Sequence, residues 1–145
     1  MAQRVRVALV ALPPVLAFTW WIAVLAVAAV TGRHPVWSLQ PRNLSEAVAF
    51  RDAAAVVRRV EAGEDPNAAA DVRARIVLSD AARLTPIEAA AAARQGELAQ
   101  LVVDLGAAPD ADVWQRAWCI SDATSVRDVL SAHRPAGARD DCAAQ

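Results

Sequence analysis

The sequence predicts an all-α protein in two parts: a single N-terminal transmembrane helix, then a short solenoid of about three helix-turn-helix repeats interrupted by one extended finger. Three observations predict it. No charged residue occurs from Val7 to Val30. Two stretches of equal length, Leu44–Asn67 and Ile87–Asp110, align without a gap, and a third, poorer copy begins at Trp114. The expected organisation is a basic segment and membrane helix over 1–31, a linker over 32–42, the repeat domain over 43–134 and a disordered tail over 135–145.

The chain is 145 residues long and 56% hydrophobic against 21% charged, and most of its apolar excess lies in the first thirty residues. At 1.5 Å per residue, a helix over Val7–Val30 would reach about 36 Å, against a hydrocarbon core of about 30 Å. Pro13 and Pro14 predict a kink, and Trp20 and Trp21 fall near mid-span. Arg4, Arg6 and the terminal amine precede the run and Arg33 and Arg42 follow it, a slight bias toward the N-terminus inside, and a short basic N-terminus on a first hydrophobic helix points the same way. An alanine-rich composition without lysine or tyrosine points to a bacterial source, so the expected location is the cytoplasmic (inner) membrane, crossed once, with the repeat domain on the extracytoplasmic side. A signal peptide cleaved after Ala26-Val27-Ala28 is the competing reading, although the apolar run exceeds the usual length.

His34–Gln40 reads as a linker because Pro35 and Pro41 discourage helix. Each repeat then reads as a helix, a tight turn and a second helix. Asn43 with Glu46, Thr85 with Glu88, and Asp112 with Gln115 form capping boxes for first helices, and Pro86 suits a first turn. Asp52 and Asp122 are candidate N-caps of second helices. Gly63 and Gly106 fall where those helices should end, and Pro66 and Pro109 block continuation. Small first helices, such as Glu88–Ala93, permit close packing. Larger aliphatics line the second helices: Val56, Val57 and Val60, then Leu98, Leu101, Val102 and Leu105, then Val126, Val129 and Leu130. No such pair buries its face alone, so three stacked pairs would share a core.

These residues resemble the ankyrin repeat family. Leu44–Asn67 ends in Glu-Ala-Gly-Glu-Asp-Pro-Asn, and Thr85-Pro86-Ile87-Glu88-Ala89-Ala90 is similar to the family's Thr-Pro-Leu-His-x-Ala opening. The resemblance covers roughly Asn43 to Pro135 and is strongest in the first two copies. It departs at the turn between helices, where Arg51 and Arg94 stand for glycine and Gly96 comes two residues late. It implies binding of another protein through loops and the face of the first helices.

The connection from Asn67 to Thr85 is about ten residues longer than the family's. Val72–Leu78 alternates before turning continuously apolar, and Ser79-Asp80 offers a turn, so a hairpin or extended finger is expected. Its arginines could meet an acidic partner; a solvated insertion with Ile76 and Leu78 packed on the stack is the alternative. The candidate contact residues are Arg73, Arg75, Ile76 and Arg83 on the finger, with Glu46, Phe50 and Glu88 on the exposed face of the first helices.

Chemistry is sparse. The two histidines, His34 and His133, are far apart, and no Walker loop, G-x-S-x-G or H-E-x-x-H motif occurs. Neither catalysis nor a cofactor nor a metal is expected. A net charge of −1 argues against nucleic acid. Cys119 reads either as a small buried residue or as the partner of Cys142 in a disulfide pinning the tail over the end of the stack. Trp114 and Trp118, one helical turn apart, either seal that end or anchor a partner. Three functional classes follow: a membrane-anchored docking or scaffold module, an accessory subunit of a membrane complex held by its membrane helix, or a secreted binding or immunity-type protein.

Overall fold

The computed structural model describes residues 18–27 and 40–142, in two compact units that divide between Gln40 and Pro41. In the first unit, residues 18–27 form helix α1, with Phe18, Trp20, Trp21, Ile22, Leu25 and Val27 exposed. This corrects the expected membrane span and, with it, the single-pass inner-membrane location. Among the described residues no helix is long and apolar enough to cross a membrane. Ten helical residues rise only about 15 Å, and the rest of Val7–Val30 lies outside the described residues.

The second unit is built from three helix pairs: α2 (Leu44–Ala49) with α3 (Ala53–Glu61), α4 (Pro86–Ala92) with α5 (Gly96–Asp104), and α6 (Ala111–Ile120) with α7 (Thr124–Ala132). First helices pack in the order α2, α4, α6, and second helices in the order α3, α5, α7. The shared core holds Ala47, Val48, Val56, Ala89, Ala90, Leu98, Val102, Trp114, Ala117, Val126 and Leu130. Alanine dominates α4 and stands at Ala47 and Ala49 of α2, where backbones approach closely, and larger aliphatics come from the second helices.

Local chemistry fixes where each helix begins. Asn43 accepts a hydrogen bond from the Glu46 N–H, Asp52 from Ala55, and Thr85 from Glu88. Around Thr85 the box is reciprocal, since the Glu88 carboxylate accepts from the Thr85 N–H at 2.7 Å. Two expected caps are corrected. Asp110, not Asp112, caps α6 by accepting from the Val113 N–H. Asp122 does not cap α7, which starts after Ala123 without a side-chain cap, and its carboxylate pairs with Arg94 instead.

Helix ends repeat one device four times. Arg51, Gly63, Arg94 and Gly106 all adopt positive φ just past the ends of α2, α3, α4 and α5. At each, the next residue's N–H reaches back over the last turn, as Asp52 does to Ala47 at 3.0 Å and Gln95 to Ala90 at 3.1 Å. This is the Schellman closure. In the first two pairs arginine therefore does in the first turn what glycine does in the second, and Gly96, now the first residue of α5, is not the turn residue.

The chain is not all-α. Between α3 and α4 lies a two-stranded antiparallel hairpin, β1 (Ala70–Val72) with β2 (Ala82–Leu84), in which Asp71 faces Arg83. The strands are shorter than the expected finger and flank the alternating stretch. Ile76 and Val77 instead pack partly against the core, which takes them out of any ladder.

Candidate functional site

The finger is anchored before it is exposed. Glu46 is fully buried, with its carboxylate at the base of the hairpin. Its Oε1 accepts from the Arg73 N–H at 3.2 Å and from Arg73 Nε at 2.7 Å. Its Oε2 accepts from the Arg73 guanidinium at 2.9 Å and from the Arg42 N–H at 2.8 Å. Burial alone would raise the Glu46 carboxyl; hydrogen bonds from the Arg73 guanidinium and the Arg42 and Arg73 backbones, with the Arg73 charge, outweigh it and hold the carboxyl below its ordinary value. The same hydrogen bond raises Arg73. The Arg73 guanidinium also lies 5.5 Å from the centre of the Phe50 ring. Asn43 donates to the Asp71 carbonyl, and the Ser45 hydroxyl donates to that of Leu84, so both strands are tied to α2.

One repeat later the arrangement recurs. Glu88 is buried at the start of α4, and its Oε1 accepts from Arg116 Nε on α6 at 2.6 Å. The Glu46–Arg73 and Glu88–Arg116 partners lie 27 and 28 residues apart. Glu46 and Glu88 were expected on an exposed contact face; both are interior, because the hairpin covers the one and α6 reaches over the other. Phe50 is half-buried under Arg73.

The other finger residues divide. Ile76 is half-buried against the core, while Arg75, Leu78 and Arg83 are exposed. Arg75 has a φ of 64° and donates its N–H to the Leu78 carbonyl at 2.7 Å, which closes the loop over residues 75–78. Of the candidate contact residues, the structure therefore leaves Arg75 and Arg83 as solvent-facing cations on a fixed base.

Sequence reasoning did not find three further linkages between repeats. The Arg51 guanidinium donates to the Ala93 carbonyl at 3.2 Å, and Arg94 pairs with Asp122 at 2.9 Å. Asn67 accepts from the Ala108 N–H at 2.7 Å, linking the first loop to the second. The signal was the repeat register itself, since Arg51 and Arg94 are aligned positions.

At the far end, Trp114 and Trp118 stack with centroids 5.0 Å apart, and Trp114 donates its indole N–H to the Leu130 carbonyl at 2.7 Å. Arg127 lies over Trp118 and Arg134 over Trp114. Trp114 is buried and Trp118 half-buried. Cys119 and Cys142 are joined by a disulfide, with Cα atoms 5.4 Å apart. The chain from Pro135 to Cys142 lies against the last pair: Gln115 donates to the Asp141 carbonyl, Arg134 to that of Ala138, and Ala138 is buried.

Among the described residues no group of three or more His, Cys, Asp or Glu side chains is placed to hold a metal ion, and no buried side-chain nitrogen or oxygen lacks a partner. No family model matches this chain, and no curated protein or solved structure matches it. The resemblance to ankyrin repeats therefore rests on the residues quoted above.

Proposed function

We propose that this chain is a protein-docking module without catalysis, in which a stack of helix pairs presents a short hairpin to an acidic surface of another protein. The observation that carries this reading is the contrast between Arg73 and its neighbours. Arg73 is spent on Glu46 and holds the hairpin base, whereas Arg75 and Arg83 point to solvent from that base. A preorganised loop loses less entropy on binding than a free one. The ankyrin resemblance, which implies binding through loops between helix pairs, supports the same reading.

Altering both charges tests it. Arg75→Asp combined with Arg83→Gln should leave folding stability within about 0.5 kcal/mol, since both side chains are exposed and Gln sets no like charge opposite Asp71. Asp also tolerates the positive φ at position 75. The double variant should lose a partner that the unaltered chain cross-links through a photo-reactive residue at position 78. Capture of the same partner by both proteins, at both low and high salt, would remove the hairpin from the docking surface.

A further inference from the structure

We infer that the Cys119–Cys142 disulfide is a redox-operated latch, whose reduction by a dithiol releases the C-terminal segment 135–142 from the last helix pair and leaves the stack folded. The argument compares what ties this segment down. Besides the disulfide, its ties are the Arg134–Asp140 pair at 2.8 Å, the Arg134 bond to the Ala138 carbonyl at 2.7 Å, the Gln115 bonds to the Asp141 carbonyl at 2.9 Å and carboxylate at 3.4 Å, and the Arg134 guanidinium 5.3 Å from the centre of the Trp114 ring. The side chains of Arg134 and Asp140 are 45% and 55% exposed, and such pairs contribute little in water. One small apolar side chain, Ala138, is buried in the segment. The covalent bond therefore dominates, and segment order follows its redox state.

Access is open from both sides, because Cys119 and Cys142 are each exposed. A thiolate of the reductant attacks one sulfur and forms a mixed disulfide, and the other cysteine leaves as a thiolate that takes up a proton. The reductant's second thiol then displaces the bound cysteine and closes its own disulfide. Two electrons and two protons pass to the chain, giving two thiols. The helix pair beneath does not depend on the bond in the same way. Trp114, Val126 and Leu130 are buried in the common core, and the Trp114 bond to Leu130 joins α6 to α7 independently.

Backbone amide NMR of the full chain tests this, comparing the oxidised protein, the protein reduced with excess dithiothreitol, and the Cys142→Ser variant. The expected result is order parameters falling below about 0.6 for residues 136–142 in both thiol states, with the resonances of α2, α4 and α5 unmoved. Three results would overturn the inference: a segment that stays ordered after reduction, a stack that unfolds when the bond is cut, or two free thiols in protein purified without reductant. Cys119→Ala provides a second cut from the opposite side, should Cys142→Ser fail to fold.

Discussion

At the scale of single residues, similar chemistry is put to different uses, and mutation separates them. Gly63 has a φ of 94°, and a Cβ placed there would meet nothing within 4 Å. The cost of Gly63→Ala is then purely conformational, about 1 kcal/mol. Gly96 has ordinary backbone, but a Cβ there would sit 2.7 Å from the Ser125 Cβ and 2.8 Å from its carbonyl carbon. Gly96→Ala must push α5 off α7 and should cost more, about 2–3 kcal/mol. Urea unfolding of both variants checks the ranking, and Ser125→Gly should rescue Gly96→Ala only in part, because the backbone clash stays. Glu46 gives a pH-dependent case. Glu46→Gln sets amide hydrogens against the Arg73 donors in a buried site and should cost about 2–4 kcal/mol at neutral pH. Because folding lowers the Glu46 pKa, its contribution is complete above the ordinary value of 4.5 and disappears as pH falls through the folded value. The stability gap between wild type and Glu46→Gln should therefore close progressively below pH 4.5, as unfolding curves across that range would show.

At the scale of elements, the hairpin is a foldon whose stability is set by side chains outside it. Two strands of three residues cannot stand alone in water. Their support comes from Glu46, Asn43 and Ser45 on or beside α2. Hydrogen exchange should accordingly show that Glu46→Gln speeds exchange across Ala70–Val72 and Ala82–Leu84 well before it affects α5 or α7. Much of this organisation was legible in the sequence. The repeat register placed α2 to α5, Thr85-Pro86 marked the start of α4, and Gly63 and Gly106 marked two helix ends. Arginine at positions 51 and 94 hid the other two ends, because a residue that tolerates left-handed backbone badly gives no local sign of adopting it. The hairpin was expected too far along the chain: of the stretch Val72–Leu78 only Val72 is paired, and Ile76 and Val77 pack inward instead of entering the ladder. The site was read least well. A glutamate in a helix's first turn looks like a solvated cap until its arginine is known, and those arginines lie 27 and 28 residues away. Their near-equal spacing in successive repeats was the one signal that could have found them.

At the scale of the whole molecule, a stack of repeats is stable only if its ends are closed, and this one closes them differently. The first pair turns Arg58 to solvent, while Arg59 pairs with Glu64 and donates to the Pro41 carbonyl. The last pair has an extended break at Ser121–Ala123 and relies on Trp114 reaching Leu130 to join its helices. There the disulfide acts as a second bridge, from α6 across α7 to the segment beyond. In the chain-entropy model a loop of this size constrains the unfolded chain by about 3 kcal/mol. How much of that is lost on reduction depends on the native state. If the segment stayed packed without its bond, native freedom would not change and the full value would disappear. If the segment is released, the reduced native state regains conformational freedom of its own, which offsets part of the loss. Urea unfolding with and without dithiothreitol should therefore show reduction lowering stability by clearly less than about 3 kcal/mol. A loss at or above that value would mean that the polar contacts of Arg134 and Gln115 hold the segment unaided, or that the last pair unfolds with it.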